Sequence, residues 1–426
     1  MIDIFQYPEI KLPEDFLIGA STAGQQIEGN CHSQFDSEEF FQPGPFYQSA
    51  GIAYNSYEMY DKDITLIKDL GLNAYRLSIE WSRIEPEQNM FDGKEVDHYL
   101  HQLDTLKKEG IKICLTLYHF AHPIWFERLG AFRNLNQMEV WKQYIEYIVP
   151  KVEPYVDYWI TVNELNLPYR YNMHERLNIL EYHAAAYHII KKYSKKPASS
   201  SLAYFMKMPY RGQNDLLDNV LAGYADYMEN EFFLHAIRTG EICAPGFDGK
   251  WVKEVKDTCD FWAFNTYSRS LIDGRKEKWL HEHPFYNATH IRGLDIPFYT
   301  DEIYPEIMIN ALIRMKDKPC MITENGMATS DDRFRIVYIA SMLQAIREAM
   351  DMGVEVWGYM CWSLLDNWEW GSYKPTFGLA EIEKETFNRI LKDSGRFLGD
   401  ICKEHRCGQD IIMRYLHGMP SKFDLK

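Results

Sequence analysis

Apolar residues gather along this chain into short runs, and most runs are followed by a longer stretch in which apolar positions recur every three or four residues. Eight runs read as strands: DFLIGAS (15–21), NAYRLSIEW (73–81), KICLTLYHF (112–120), YWITVNE (158–164), SSLAYFMKM (200–208), DFWAFNTYS (260–268), PCMITENG (319–326) and VWGYMCWSLL (356–365). Amphipathic segments between them read as helices: MYDKDITLIKDLG (59–71), VDHYLHQLDTLKKEG (96–110), MEVWKQYIEYIVPKV (138–152), ILEYHAAAYHIIKKYS (179–194) and FRIVYIASMLQAIREAMDMG (334–353). Strand and helix in alternation imply parallel strands with right-handed crossovers, and strands apolar on both faces must be covered on both. Eight such units predict an α/β fold, a closed (β/α)8 TIM barrel. The rival, an open doubly wound sheet, usually carries a glycine-rich first turn, and no GxGxxG follows DFLIGAS. No linker, repeat or low-complexity segment divides the chain, so residues 1–426 are expected to form a single domain. Residues 30–52 and 268–303 are expected to be elaborated loops over the barrel mouth.

In a barrel of this kind chemistry sits at the C-terminal ends of the strands. The first run leads into Gln26 and Glu28, the second carries Arg76 and Glu80, and the third ends at His119. The fourth ends Asn163-Glu164, the sixth holds Asn265 and Tyr267, the seventh reaches Glu324, and the eighth leads into Trp362, Glu369 and Trp370. Glu164 and Glu324 differ from the other acids because each directly ends an apolar strand, where an uncompensated carboxylate would lose solvation. Either they are partners of Arg76 and other cations in a buried network, or they are used.

Use by both together is glycoside hydrolysis: one protonated acid for the leaving oxygen and one carboxylate on the opposite face of the sugar ring, about 5 to 5.5 Å apart in the retaining version. Strands four and seven face each other across a barrel of eight, so their mouths can hold a ring between them. Arg76 is the cation expected to keep one glutamate ionised, with Tyr267 as a hydroxyl donor to the same group. Gln26, His119, Asn163 and Glu369 suit ring hydroxyls, and Trp362 or Trp370 suits an apolar ring face.

Composition narrows the partners. With 46 basic and 62 acidic side chains the net charge is −16, which disfavours nucleic acid and anionic membrane surfaces. A small-molecule glycoside or short oligosaccharide is the expected partner, and a homo-oligomer stays open. Aromatics form 15% of the chain, which fits a rich core and equally a cleft that stacks on sugar rings. The eight cysteines are scattered without a CxxC pair, and the first residues lack a basic region followed by an apolar one, so a cytoplasmic location is expected. Asn287-Ala288-Thr289 matches a glycosylation sequon of the kind that arises by chance. His119 and His122 in HFAH, near Glu127, could be read as a metal pair, but hydroxyl recognition explains His119 without one. Neither a phosphate loop of the GxxxxGK[ST] kind nor a GxSxG elbow is present.

Taken together, FLIGASTAGQQIEG, YRLSIEWSRIEP, TLYHFAHPIWF, WITVNE, ITENG, and WSLLDNWEW with the later TFGL, in that order, resemble glycoside hydrolase family 1, the retaining β-glycosidases, over nearly the whole chain. The resemblance implies Glu164 as general acid/base and Glu324 as nucleophile. It further implies that Gln26, His119, Asn163, Glu369 and Trp370 grip the glycone over a floor made by Trp362. Arg76, Asn265 and Tyr267 would surround the nucleophile, a cis peptide would follow Trp362, and no metal or organic cofactor would be needed. Members acting on 6-phosphorylated sugars tend to replace the residue at Glu369 and add basic residues nearby, so neutral β-glucosides are expected, with β-galactosides or β-fucosides tolerated. The alternatives are a transglycosidase using the same intermediate, a 6-phospho-β-glucosidase, and a non-catalytic sugar-binding barrel. Four departures from the family pattern lie around the mouth: Leu165 in place of proline, Gln25 in place of tyrosine, EWGSYKPTFG one residue short, and a short segment after Asn166. They are expected to alter the aglycone side more than the chemistry.

Overall fold

A computed structural model describes residues 6–41, 47–168, 170–275 and 303–417 of the chain. The Asn287 sequon and most of the second expected loop lie outside these residues.

The barrel strands are β1 (Leu17–Ser21), β2 (Ala74–Ser78), β3 (Lys112–Thr116), β4 (Tyr158–Ile160), β5 (Ala198–Ser199 with Ser201–Ala203), β6 (Trp262–Asn265), β7 (Cys320–Asn325) and β8 (Val356–Trp362). All pair in parallel in sequence order. The sheet closes twice over: β8 pairs with β1, and the two halves of β5 pair with β4 on one side and β6 on the other. The result is the (β/α)8 barrel that the alternation predicts.

The inside of the barrel is filled by one layer drawn from many strands: Leu17, Ala74, Cys114, Ile160, Ala263, Met321 and Met360. Strand β5 adds serines to this interior, and their hydroxyls are satisfied, Ser199 by the Phe261 carbonyl at 2.7 Å and Ser201 by Thr323 at 2.9 Å. A much larger core lies between strands and helices. The helices expected from periodicity match observed ones to within two residues at their C-terminal ends: α1 (Ser56–Leu70), α2 (Gly93–Lys108), α3 (Met138–Val152), α4 (Met173–Tyr193) and, later in the chain, Asp332–Asp351. Local chemistry fixes their ends. Asp92 caps α2 by accepting from the Lys94 and Glu95 amides, and Asn172 and Glu175 form a reciprocal capping box on α4.

Two strands differ from expectation: in the run 158–164 only Tyr158–Ile160 is strand, so Glu164 follows it in a loop rather than ending it, and the fifth run is divided. The run 200–208 reads as a single strand, but its barrel portion stops at Ala203, and Lys207–Pro209 forms a separate parallel pair with Ser270–Ile272 beside the barrel mouth. Apolar patterning is continuous across the break and cannot reveal it.

Candidate active site

Strand β7 positions Glu324 through an irregularity. Pairing with β6 runs Phe264 to Ile322 and then Asn265 to Glu324, so β7 carries one extra residue; against β8 it runs Ile322 to Tyr359 and then Asn325 to Cys361, with the same surplus. Regular alternation would set Met321 and Thr323 inward and Glu324 outward. The one-residue bulge turns Glu324 inward together with Thr323, a known use of bulges beside active sites.

Once inside, Glu324 is clasped. The Arg76 guanidinium donates to its Oε1, and Tyr267 Oη donates to its Oε2 at 2.7 Å. Arg76 is fully buried, and its remaining donors go to Thr116 Oγ1 at 3.2 Å, the Thr323 carbonyl at 3.3 Å and Asn163 Oδ1 at 2.6 Å. Tyr267 stays protonated because burial and the neighbouring Glu324 charge push its pKa far up, so it remains a donor.

Glu164 is held differently. Its partner is the neutral amide of Asn265, which donates to Oε1 at 3.0 Å and also to Asn163 Oδ1 at 3.0 Å. Asn265 stands beside both carboxyls: its Nδ2 donates to Glu164 and Asn163 and also lowers the Glu324 pKa, while Thr323 Oγ1 donates to its Oδ1 at 2.7 Å and so fixes which way the amide faces. Burial pushes both glutamates up. For Glu164 the charge of Glu324 adds to this and brings its pKa to about 8. For Glu324 the guanidinium, the Tyr267 hydroxyl and the Asn265 amide oppose the rise, so its surroundings favour the ionised form more than those of Glu164 do.

Both glutamates line one cavity of about 300 Å³ with Gln26, His119, Asn163, Tyr267, Trp362, Glu369 and Trp370. Nine of the eleven residues to which the family resemblance gives a role therefore meet at its wall, and Arg76 and Asn265 stand directly behind it. His119 lies near-parallel between the rings of Trp362 and Trp370, at 5.9 and 6.1 Å between centroids. The Asn163 oxygen accepts from Arg76 and Asn265, so its Nδ2 must donate to His119 Nε2 at 3.1 Å. His119 is thus the Nδ1-protonated tautomer, and burial beside Arg76 and Arg170 keeps it neutral. That Nδ1 and the Gln26 Oε1 are buried without a hydrogen-bond partner among the described residues, a donor and an acceptor fit for sugar hydroxyls. Gln26 is anchored through Nε2 to Asn367 Oδ1 and the Trp368 carbonyl, both at 2.9 Å. Glu369 accepts from Trp362 Nε1 at 2.9 Å, and burial raises its pKa to about 8. The Trp362–Ser363 peptide is cis.

Among the described residues, three of the thirteen non-glycine residues with positive φ stand at the site. Phe120, Glu164 and Trp370 all line the cavity, and all adopt left-handed φ values, 67°, 46° and 44°. Such conformations are costly for these residues and gather where function holds them.

Some readings do not reach the cavity. Glu28 accepts from Arg83 at 2.8 Å and Tyr99 at 2.9 Å, and Glu80 from Ser78 at 3.0 Å, outside its wall. His122 turns away from His119 to bind Glu127 at 2.8 Å and Tyr118 at 3.1 Å, so HFAH gathers no shared metal position. Gln25 leans toward Asp36, and Leu165 is fully buried. Conversely, Phe120, Leu167, Arg170, Phe205, Lys207, Glu229 and Ser270 line the cavity although sequence reasoning passed over them. Lys207 left a trace, a charge within an apolar run. Glu229, on a helix, left none.

A parallel barrel with a buried pair of unlike carboxyls at its mouth, framed by tryptophans and unpaired hydroxyl-seeking groups, defines a glycosidase of the two-carboxylate class. The family model "Glycosyl hydrolase family 1" matches residues 9–407, and the chain belongs to that family and is a glycoside hydrolase. Beta-glucosidase A of Acetivibrio thermocellus is 28% identical, over 93% of this chain and 99% of its own. The 6-phospho-beta-glucosidase GmuD of Bacillus subtilis is 24% identical, over 93% and 98%. Among solved structures, a beta-glycosidase from Pyrococcus horikoshii superposes with a TM-score of 0.85 at 30% identity, covering 97% of this chain and 99% of its own.

Proposed function

We propose that this enzyme hydrolyses terminal, non-reducing β-D-glucosides with retention, Glu324 acting as nucleophile and Glu164 as general acid/base. One observation carries the reading: the two carboxyls sit in unlike surroundings, Glu324 against a guanidinium and a phenol, Glu164 against a neutral amide. The ionised Glu324 attacks the anomeric carbon while Glu164 protonates the departing oxygen. Glu164, now ionised, then takes a proton from water, which displaces Glu324 from the glycosyl-enzyme. Gln26, His119, Glu369 and Trp370 hold the glycone above Trp362. The same reading takes residues 1–426 as one catalytic domain, supported by barrel strands drawn from Leu17 through Trp362.

Trapping tests it. Incubation with a 2-deoxy-2-fluoro-β-glucoside bearing a good leaving group should add one fluoroglucosyl mass to the protein, mapped to the peptide containing Glu324. Turnover of aryl β-glucosides without such a label would refute the assignment. A 6-phosphorylated glycone is the second reading, favoured by the Arg170 cation in the cavity wall and opposed by Glu369, which would face the phosphate. Preference for the phosphorylated over the neutral aryl glucoside would decide for it. Added glycerol or a second sugar, with product analysis, separates hydrolysis from transglycosylation.

A further inference from the structure

Of the cavity residues not engaged with the glycone, Phe205, Lys207, Glu229 and Ser270 form one group, and Asn166, two residues beyond Glu164, holds the Glu229 backbone, which places the group beside the acid whose proton goes to the leaving oxygen. At their centre is an ion pair. Lys207 Nζ donates to Glu229 Oε2, and the two side chains are only 4% and 8% exposed. Lys207 also donates to Ser270 Oγ at 3.2 Å, its direct neighbour across the small parallel sheet at the mouth, and its Nζ lies 5.3 Å from the centre of the Phe205 ring.

Glu229 arrives by an unusual route. The helix that begins at Leu216 and ends at Thr239 passes through a π-helical turn at Tyr227–Glu231, and Glu229 lies within it. Inserted π turns cost helix stability and recur at functional sites. This one is clamped from the acid/base side: Asn166, two residues beyond Glu164, donates through Nδ2 to the Glu229 carbonyl and to the Ala203 carbonyl at 2.8 Å, and Arg176 donates to the Met228 carbonyl at 2.7 Å. The short segment after Asn166 therefore does more than close a gap; it fixes the turn that presents Glu229.

We propose that the Lys207–Glu229 pair, with Ser270 and the Phe205 ring, reads the aglycone and selects leaving groups that carry neighbouring hydroxyls, a second sugar residue above all. An ammonium has three N–H donors, and two are occupied here; a carboxylate has two oxygens, and Lys207 takes one. A donor and an acceptor side by side match a vicinal diol, one hydroxyl accepting and the other donating. A flat apolar leaving group would cover the pair without satisfying it, which costs desolvation and returns no hydrogen bond.

This inference rests on the hydrolase reading, and its test separates the two. The Lys207→Gln/Glu229→Gln double variant keeps side-chain volume and removes one charge of each sign, so neither member of the pair is left without its partner. The ratio of kcat/KM for a β-linked glucose disaccharide to that for 4-nitrophenyl β-glucoside should fall at least about tenfold in the double variant, chiefly through the disaccharide KM. An unchanged or increased ratio, including equal losses on both substrates, would overturn the proposal. The second arm needs no turnover. In a Glu164→Gln background, calorimetric affinity for the disaccharide should also drop about tenfold on adding the two substitutions, while affinity for glucose alone should not follow it. A drop without wild-type turnover would uphold the aglycone site and sink the hydrolase reading; equal losses for disaccharide and glucose would sink the aglycone site itself.

Discussion

At the scale of single residues the division of labour comes from which donors each carboxyl receives. Changing Arg76 to Gln removes the cation that holds Glu324 ionised, so the nucleophile should reach its active form only at higher pH. The acid limb of the kcat/KM profile is expected to rise by about one to three pH units. Glu164, raised in part by the Glu324 charge, should lose that contribution wherever Glu324 is protonated, so the bell narrows from both sides. On the acid role proposed for Glu164, its pKa of about 8 means that activity should be present below that value and be lost as pH rises through it. Replacing Glu164 by Gln should abolish this basic limb. It should cut kcat/KM about 10² to 10⁴-fold on alkyl glucosides, and far less on dinitrophenyl glucoside, whose leaving group departs without a proton. Stopped assays across pH with the two leaving groups check both expectations; equal losses on both would remove Glu164 from the acid role. Much of this was legible beforehand. The strand-end pattern pointed to Arg76, Tyr267 and both glutamates, because buried strands rarely end in carboxylates without a reason. The direction Asn265 faces, and so its bond to Glu164, was not legible, since it depends on the Thr323 hydroxyl from another strand.

Between elements, placement depends on small departures from regularity that periodicity does not record. The surplus residue in β7 turns Glu324 inward, and the strand that carries it ends against β8 with no room to spare. A Cβ on Gly326 would come within 1.8 Å of the Trp362 carbonyl oxygen, a backbone atom that cannot swing aside. The family signature's glycine is thus explained by contact: the exits of β7 and β8 touch where the nucleophile and the ring floor must meet. Gly326→Ala should separate them, lowering thermal stability and reducing kcat/KM on aryl β-glucoside by about 10²-fold, as small misplacements of catalytic groups do. Calorimetry and kinetics on the same preparation check it; wild-type activity would mean that the two strand ends can part freely. The break in β5 and the π turn before Phe232 belong to the same class of feature. The first lies in a stretch whose apolar pattern is continuous and the second at three successive polar residues, Glu229 to Glu231, and both carry residues of the cavity wall that sequence reasoning passed over. Helices were easier to find, because an amphipathic stripe and its caps are local properties of the chain.

For the whole molecule, closure is the property that matters. Glu164 follows β4 and Glu324 ends β7, and neither half of the sheet between them is complete without β5, whose two parts tie β4 to β6. The first and last barrel strands, β1 and β8, are likewise paired along Leu17–Ser21, so no segment can leave without opening the site. A chain organised in this way as one catalytic domain should unfold in a single transition, with the site disappearing as the barrel does. A ligand that fills the glycone position binds only the folded barrel and must stabilise all of it. At one hundred times its Kd, a glucose-configured iminosugar contributes about 2.7 kcal/mol. The unfolding entropy of a chain this long, roughly 0.9 kcal/mol per kelvin from the per-residue average, converts that into a Tm rise of about 3 °C. Differential scanning calorimetry should show one endotherm that moves as a unit by this amount, and in the Arg76→Gln variant the rise should shrink because a cationic inhibitor loses the ionised Glu324 it pairs with. Two endotherms, only one of them moved by the inhibitor, would show that part of the chain folds independently of the barrel and would replace the one-domain reading.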